Sequence, residues 1–258
     1  MGSSRLPEKI MLPVCGKPLF HYMINRVKQS KKLEKIIIAT TNKPEDDVIV
    51  NFCKSEQIEY FRGSENDVLN RYFETAKKFS INTIVRLTAD TPLIDPHVID
   101  KVISVFQDNE FDFVSNFFPL PRTYPEGYNV EVFSIKTLRQ ANLEAIKPSD
   151  REHVTTYITM QPDIFKIYRV DYKNDYSKYR FTLDYDDDYK LIKKIFESLY
   201  NKHHFFTLEN IVDWLEQNPD VLKLNSHILP YQNLIQSFEN DAKLGFSQHK
   251  NNFYLKYK

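Results

Sequence analysis

Arg86-Leu87-Thr88-Ala89-Asp90-Thr91-Pro92-Leu93-Ile94-Asp95-Pro96 follows the β-branched run Thr83-Ile84-Val85 and precedes an amphipathic helical pattern. That order reads as strand, turn, helix. It places Asp90 just past the C-terminal end of a buried strand, where open α/β sheets bind ligands. Pro92 and Pro96 stiffen the chain after Asp90, so its carboxylate is held in one place. A fixed carboxylate at a strand end suits a divalent metal on a nucleoside triphosphate. The same residue equally suits a turn that caps its own backbone, and this segment by itself leaves both readings open.

The flanking sequence repeats the alternation. Residues 34–40 read as a buried parallel strand, and Pro44 opens a helix to about Ser55. Residues 58–61 form a short strand, 66–79 a helix capped by Asn66 or Asp67, 83–87 a strand and 96–107 a helix. This βαβ series implies a doubly wound sheet. Further on, strands are expected over 111–115, 129–133, 165–172 and 179–183. Helices are expected over 137–146, 149–160, 186–200 and 208–217. From about residue 225 the chain is polar and carries no motif.

The 258 residues allow one α/β domain or a domain with an arm, and 41% hydrophobic content supports a sizeable core. Thirty-five basic residues balance 35 acidic ones, so no global field points to nucleic acid or an anionic membrane. Cys15 and Cys53 fall in no metal or redox spacing, which fits two packed thiols in a reducing compartment. No apolar run reaches membrane-spanning length and no leader pattern opens the sequence, so a cytoplasmic protein is expected.

Near the N-terminus, Gly2-Ser3-Ser4-Arg5 offers backbone amides for phosphate, with Arg5 and Lys9 to neutralise it. A flexible tail has the same composition. Lys17 stands at the start of the next helical pattern. Asp184 ends a strand pattern and precedes Tyr185-Asp186-Asp187-Asp188. Acids in a first helical turn mainly complement the macrodipole, so Asp184 is assigned to metal and Asp186, Asp187 and Asp188 to the helix end.

Together Met1-Gly2-Ser3-Ser4-Arg5-Leu6-Pro7, Gly16-Lys17-Pro18-Leu19, Arg62-Gly63-Ser64 with Asp67-Val68-Leu69 and Arg71-Tyr72, and the Asp90 run resemble the cytidylyltransferase family. Arg122-Thr123-Tyr124-Pro125-Glu126-Gly127, Val130-Glu131-Val132-Phe133, Arg151-Glu152-His153-Val154-Thr155 and Arg180-Phe181-Thr182-Leu183-Asp184 extend the match to about residue 200. The chain looks most like the spore coat polysaccharide biosynthesis protein F group, relatives of the enzymes that activate 3-deoxy-manno-octulosonate and sialic acids with CMP.

The resemblance implies a nucleotide-diphospho-sugar transferase fold, a Rossmann-like α/β three-layer sandwich with a small mixed β region. A cytidylyltransferase domain would span 1–224, with 116–180 serving the acceptor and dimer contacts, and 225–258 an extension. It implies a Mg²⁺-dependent reaction in which a sugar, acidic or a keto acid, attacks CTP to give a CMP-sugar and pyrophosphate for surface polysaccharide. Asp90 and Asp184 match the metal aspartates, and Arg5 and Lys9 the catalytic cations. The nucleotide side would include Ser3, Ser4, Arg5, Lys9, Lys17, Arg62, Asp67, Arg71 and Arg86. Asp67 is equally a helix cap with Arg71 as its i,i+4 partner.

The acceptor side would include Tyr124, Glu126, Asn129, Glu131, Arg151, Glu152 and His153. Arg151 would clamp a sugar carboxylate; the alternative is a helix-start turn with His153 in the core. Relatives carry Gly where this chain has Glu8, and often Asp at Asn129. His203 and His204 match nothing and read as surface residues. The rivals are a sugar-1-phosphate nucleotidyltransferase using another base and a non-catalytic binder, against which both aspartates argue.

Relatives also place an apolar strand, central in the sheet, directly before the segment matched by Met1–Arg5. Without it, neighbouring strands would bury unpaired backbone groups at about 1–3 kcal/mol each. Met1 is therefore expected to be internal, with an in-frame apolar segment of about six to eight residues upstream. Equal stability and activity of the shorter and extended chains would overturn this.

Overall fold

The computed structural model describes residues 1–2, 5–200 and 205–247. Its first two strands form a tight hairpin, β1 (Pro13–Val14) and β2 (Lys17–Pro18), paired antiparallel. Cys15 and Gly16 turn it at φ 45° and 83°, the positive values that suit a short hairpin's right-handed twist. Cys15 is thereby exposed, while Cys53 is buried, so only one thiol is packed as expected.

Helix α1 (Leu19–Val27) buries one apolar face and also Arg26. Arg26 donates to the carbonyls of Ile94, Leu93 and Phe206 at 2.7, 3.2 and 2.9 Å. It thus pins the loop that follows Asp90. The parallel pair β3 (Ile37–Thr41) and β4 (Glu59–Gly63) is joined by α2 (Asp47–Ser55). Helix α3 (Val68–Lys78) starts at Asp67, whose side chain accepts from Asn70 N.

Strand β5 (Thr83–Arg86) leads through the Asp90 loop into α4 (Pro96–Gln107). Asp95 caps α4 by accepting from His97 N at 2.8 Å and also holds Leu208 N at 3.2 Å. This is the proline-after-cap signal acting as expected.

Strands β6 (Phe113–Ser115), β7 (Glu131–Ser134) and β8 (Ile167–Arg169) join β5 in a mixed sheet ordered β5-β7-β6-β8. Its one parallel pairing is β6 with β8, and β7 runs opposite to the other three. The doubly wound reading is thus modified. Among the described residues, β3–β4 and the four-stranded sheet are separate hydrogen-bonded units.

Helices α5 (Ile135–Glu144), α6 (Pro148–His153) and α7 (Thr156–Thr159) cover one side with the smaller core, around Leu69, Phe113, Phe133 and Leu138. The expected single helix 149–160 is broken at Val154, which takes φ 69°. Helices α8 (Asp186–Leu199), α9 (Leu208–Gln217) and α10 (Pro219–Leu222) complete the larger core with α1 and α4.

The strand expected over 179–183 is reduced to one parallel bridge, Glu126 with Arg180. Gly127 makes that contact possible. At φ 92° it lies so close that a Cβ would meet backbone of Phe181 and Thr182 at 2.5 Å, too near for any other residue.

The polar tail beyond 225 contains α11 (Gln232–Lys243). It packs on α6, where Asp241 accepts from Ser149 N and Oγ at 3.2 and 2.5 Å. Burial lifts the neighbouring Asp150 carboxyl to about 6. Lys147 opposes the rise and Asp241 adds to it.

Asp150 therefore holds its proton more tightly folded than unfolded, where about 3.9 is usual. Its contribution is fully present below the unfolded value and is lost as pH rises through about 6. Asp150→Asn should raise the melting temperature at pH 7.5, and the difference should vanish near pH 4. Thermal melts across that range check this.

Candidate active site

Residues 5–12 wind over the end of the sheet. Glu8 adopts φ 55°, ψ 21° and is followed by a short 3₁₀ turn, Lys9–Met11. Left-handed backbone is where glycine is easiest, which accounts for the glycine expected there. The turn carries Lys9 inward. Lys9 Nζ donates to Asp90 Oδ2 and to Asp184 Oδ1, both at 2.9 Å. These two oxygens are thus at most twice 2.9 Å apart, inside the roughly 8 Å that one shared ion allows.

The backbone sets this convergence. Leu183 N donates to Asp90 O at 2.9 Å, which joins the two loops next to their carboxylates. Arg5 Nη2 lies 3.7 Å from Asp184 Oδ1, with its guanidinium 5.4 Å over the Tyr185 ring. Burial alone disfavours the charge on Asp90 and on Lys9. Their contact overrides it, so Asp90 titrates below its ordinary value and Lys9 above.

Arg180 braces the group from behind. Its guanidinium reaches Glu126 Oε1 at 3.0 Å, Asp184 Oδ2 at 3.1 Å and Asp188 Oδ1 at 2.9 Å. Although burial disfavours the charge, Glu126 and the aspartates hold the guanidinium protonated. Asp188 is fully buried. Besides Arg180 it accepts from the backbone N of Asp184 and Tyr185, both at 3.0 Å, and from Asn225 Nδ2 at 2.8 Å.

Arg180 and Asp188 were absent from the expected site. The signal was the spacing Arg180, Asp184, Asp188, four residues apart across a helix start, where an acid at the third helical position reaches back to the cap. Asp186 and Asp187 do behave as helix-end acids, both ion-paired with Lys190.

Arg122 extends the chain outward. It lies 3.5 Å from Glu126 Oε2. It also donates to the Tyr231 hydroxyl and stacks over that ring at 4.9 Å. Neither Arg122 nor Tyr231 stood among the expected residues.

The remaining expected residues fall elsewhere. Arg62 is spent on its surroundings, donating to Thr41 O, Lys43 O and Asp47 Oδ1. Arg71 donates to Ser64 O rather than pairing with Asp67. Lys17 is exposed on β2, ahead of α1. Ser3 and Ser4, like His203 and His204, lie outside the described residues.

Arg151, expected to clamp an acceptor carboxylate, clamps Asp67 instead. Nε and Nη2 reach its two oxygens at 2.9 and 2.7 Å, a two-point geometry that satisfies both charges. Tyr124 is 1% exposed and packs edge-on to Tyr172, so it belongs to the core. Glu131 is buried between Arg86 and Thr155. Arg86 lies opposite it in the β5–β7 register, and despite burial the pairing keeps Arg86 charged.

Asn129 Oδ1 is buried without a hydrogen-bond partner among the described residues. Glu152 and His153 share Ser237 on α11, at 3.1 and 2.9 Å. Burial lowers the imidazole's affinity for its proton. Glu126 does join the central group; Arg151, Tyr124 and Lys17 do not.

Two converging carboxylate oxygens around one positive charge are the donor set a hard dication uses when substrate phosphates supply further ligands. The residues present therefore fit Mg²⁺. Among the described residues no cluster of three acidic, histidine or cysteine ligands exists, so Asp90 and Asp184 would hold the metal jointly with substrate.

The cytidylyltransferase family model matches residues 1–233, and the chain belongs to that family. It is a nucleotidyltransferase. An uncharacterized protein of Methanocaldococcus jannaschii is 36% identical over 88% of this chain and 91% of its own length. The spore coat polysaccharide biosynthesis protein SpsF of Bacillus subtilis is 29% identical over 85% and 92%. The structure of a cytidylyltransferase from Leptospira borgpetersenii superposes with TM-score 0.81 at 33% identity, covering 86% of this chain and 92% of that one.

If Asp188 organises the site, Asp188→Asn should cost about 3 kcal/mol, as for breaking a buried ion pair. Exposed Asp186→Asn should stay within about 0.5 kcal/mol. Urea titration of both variants is the measurement, and equal stability would remove Asp188 from this role.

Proposed function

We propose that this protein transfers CMP from CTP to a sugar, an acidic or keto-acid one, for surface polysaccharide biosynthesis, with Mg²⁺ as cofactor. The observation that carries the reading is the meeting of Asp90, Asp184, Lys9 and Arg5 at one point beside the sheet. Paired carboxylates with cations from a preceding loop suit a triphosphate and its metal.

In that reaction a sugar hydroxyl oxygen forms a bond to the α-phosphorus. The bond from that phosphorus to the bridging oxygen breaks, and pyrophosphate leaves with the electron pair. The hydroxyl proton passes to water. Mg²⁺, when bound by Asp90 and Asp184, supplies charge neutralisation on the phosphates. The chain's own groups bind and orient. Arg5 and Lys9 would hold the triphosphate oxygens, and Arg180 would fix Asp184 through its second oxygen. Glu126 would link the acceptor loop to Arg180. Family membership and the likeness to SpsF support the base and the product class.

We read the protein as a cytoplasmic homodimer joined through residues 116–180. No helix among the described residues is long and apolar enough to cross a membrane. Leu143, Ile146, Ile164 and Tyr168 are large apolar side chains exposed within that region, which favours a partner surface. Leu143→Lys with Ile146→Lys should shift the mass in light scattering from dimer to monomer; an unchanged mass would place the interface elsewhere.

The decisive assay is pyrophosphate release from CTP, GTP, UTP or ATP against keto-acid sugars and sugar 1-phosphates. Turnover should require CTP, and Asp90→Asn should lower it by at least about 100-fold, a loss of the size seen when one charge-stabilising group is removed, while the melting temperature changes little. Turnover with another nucleotide and a sugar 1-phosphate would replace this reading by its rival.

A further inference from the structure

Lys9 Nζ occupies the point that the two carboxylates share. It contacts Asp90 Oδ2 and Asp184 Oδ1 at 2.9 Å each. Arg180 holds the other oxygen of Asp184, Oδ2, at 3.1 Å, so its position leaves Oδ1 to Lys9. Arg5 stands off at 3.7 Å and is more exposed than Lys9. Among the described residues, Lys9 is thus the cation that directly bridges both carboxylates.

A magnesium ion shared by the two carboxylates would lie between them, about 2.0–2.1 Å from an oxygen of each. An ammonium lying 2.9 Å from both already fills the space between them. Two cations packed there would also repel strongly in a partly buried setting. Metal and ammonium are therefore alternatives. Lysine suits such an exchange. Its charge is compact and rides on a flexible four-carbon stem with rotatable donors, unlike the planar fork of arginine. A triphosphate entering with the metal offers anionic oxygens to the displaced ammonium.

We propose that Lys9 is a tethered stand-in for the divalent cation: it keeps Asp90 and Asp184 together and excludes free metal. It yields their oxygens when a metal–triphosphate complex arrives, then binds the triphosphate. Lys9 acts here as a positioning residue, and the inference rests on Asp90 and Asp184 being the metal carboxylates. Its consequence is that metal alone binds weakly, so the metal enters with its nucleotide.

Mn²⁺ alone provides the test, its binding followed by electron paramagnetic resonance without nucleotide. An adjacent charge moves a carboxylate's proton affinity by about one to three powers of ten, and a cation competing for the same oxygens should move metal affinity in the same way. Lys9→Met and Lys9→Gln should therefore bind Mn²⁺ roughly tenfold or more tighter than the wild type, and Asp184→Asn more weakly. In the wild type, saturating Mn²⁺ should speed labelling of Lys9 by an amine reagent, read by mass spectrometry; adding CTP should protect Lys9 again.

The labelling arm needs no variant, so it decides even where Lys9→Met fails to fold. Binding that Asp184→Asn weakens but neither Lys9 variant strengthens, with labelling unmoved by metal, would overturn this inference alone. Binding indifferent to Asp184→Asn would overturn the metal reading beneath it.

Discussion

Asp188 is a carboxylate with no exposure, and much of the molecule is arranged around its two oxygens. One receives the side chains of Arg180 and Asn225. The other receives the backbone N–H groups that open α8, and the second arm of Arg180. A buried charge is tolerable only when it is paired and its lone pairs are satisfied. Asp188 meets both conditions at once. In doing so it fixes the start of a helix, the tail at Asn225, and the guanidinium that reaches Asp184 and Glu126. Losing any one partner would leave a charge in a place that water does not reach freely.

From that anchor the site follows as alternating charge. Asp188, Arg180 and Asp184 stand in line, and Lys9 continues the series to Asp90. On the other side Glu126 and Arg122 continue it to the Tyr231 ring. Carboxylates that would repel if left bare are separated throughout by cations. Backbone geometry holds the register: Leu183 N on Asp90 O binds one loop, and Gly127 packed on Phe181 and Thr182 binds the other. The loop that carries Glu126 and Gly127 and the loop that carries Asp90 are thus fastened to the same four residues, 180–183, although these form almost no regular strand.

Local rules made much of this legible before any coordinates. Pro96 after Asp95 marks the start of α4, and Asp67 caps α3. Asp90 and Asp184 each follow a strand-like run, and it is the resemblance to the cytidylyltransferase family that singles them out. What escaped was decided by contacts far apart in sequence. Residues 179–183 look like a strand by alternation, yet pair only once because their backbone is used by loops. Helix 149–160 has a continuous pattern, but Val154 turns left-handed between its halves. Arg151 and Asp67, 84 positions apart, carry no local sign that they neutralise each other. By sequence Asp188 is one acid among three at a helix end, since the pattern does not distinguish a buried third-position acid from its exposed neighbours.

The tail extends the same logic to the acceptor side. Helix α11 begins as the family model ends, at residues 232 and 233, and lacks any motif. Some of its polar residues nonetheless reach the body of the protein, while Asn233, Gln236 and Asn240 stay exposed. Asp241 holds Ser149, Ser237 meets both Glu152 and His153, and Tyr231 covers Arg122. Each contact falls on a residue beside or within a motif that the family resemblance assigns to the acceptor. None of these contacts falls on Lys9 or Leu183, which hold Asp90. A helix almost wholly beyond the family match thus abuts the residues that the resemblance assigns to the acceptor. The half that would handle the triphosphate is built from the loops at Lys9, Asp90 and Asp184. Changes in α11 at Ser237 or Asp241 would act on Glu152, His153 and Ser149, away from the ion pairs that run from Asp188 to Asp90.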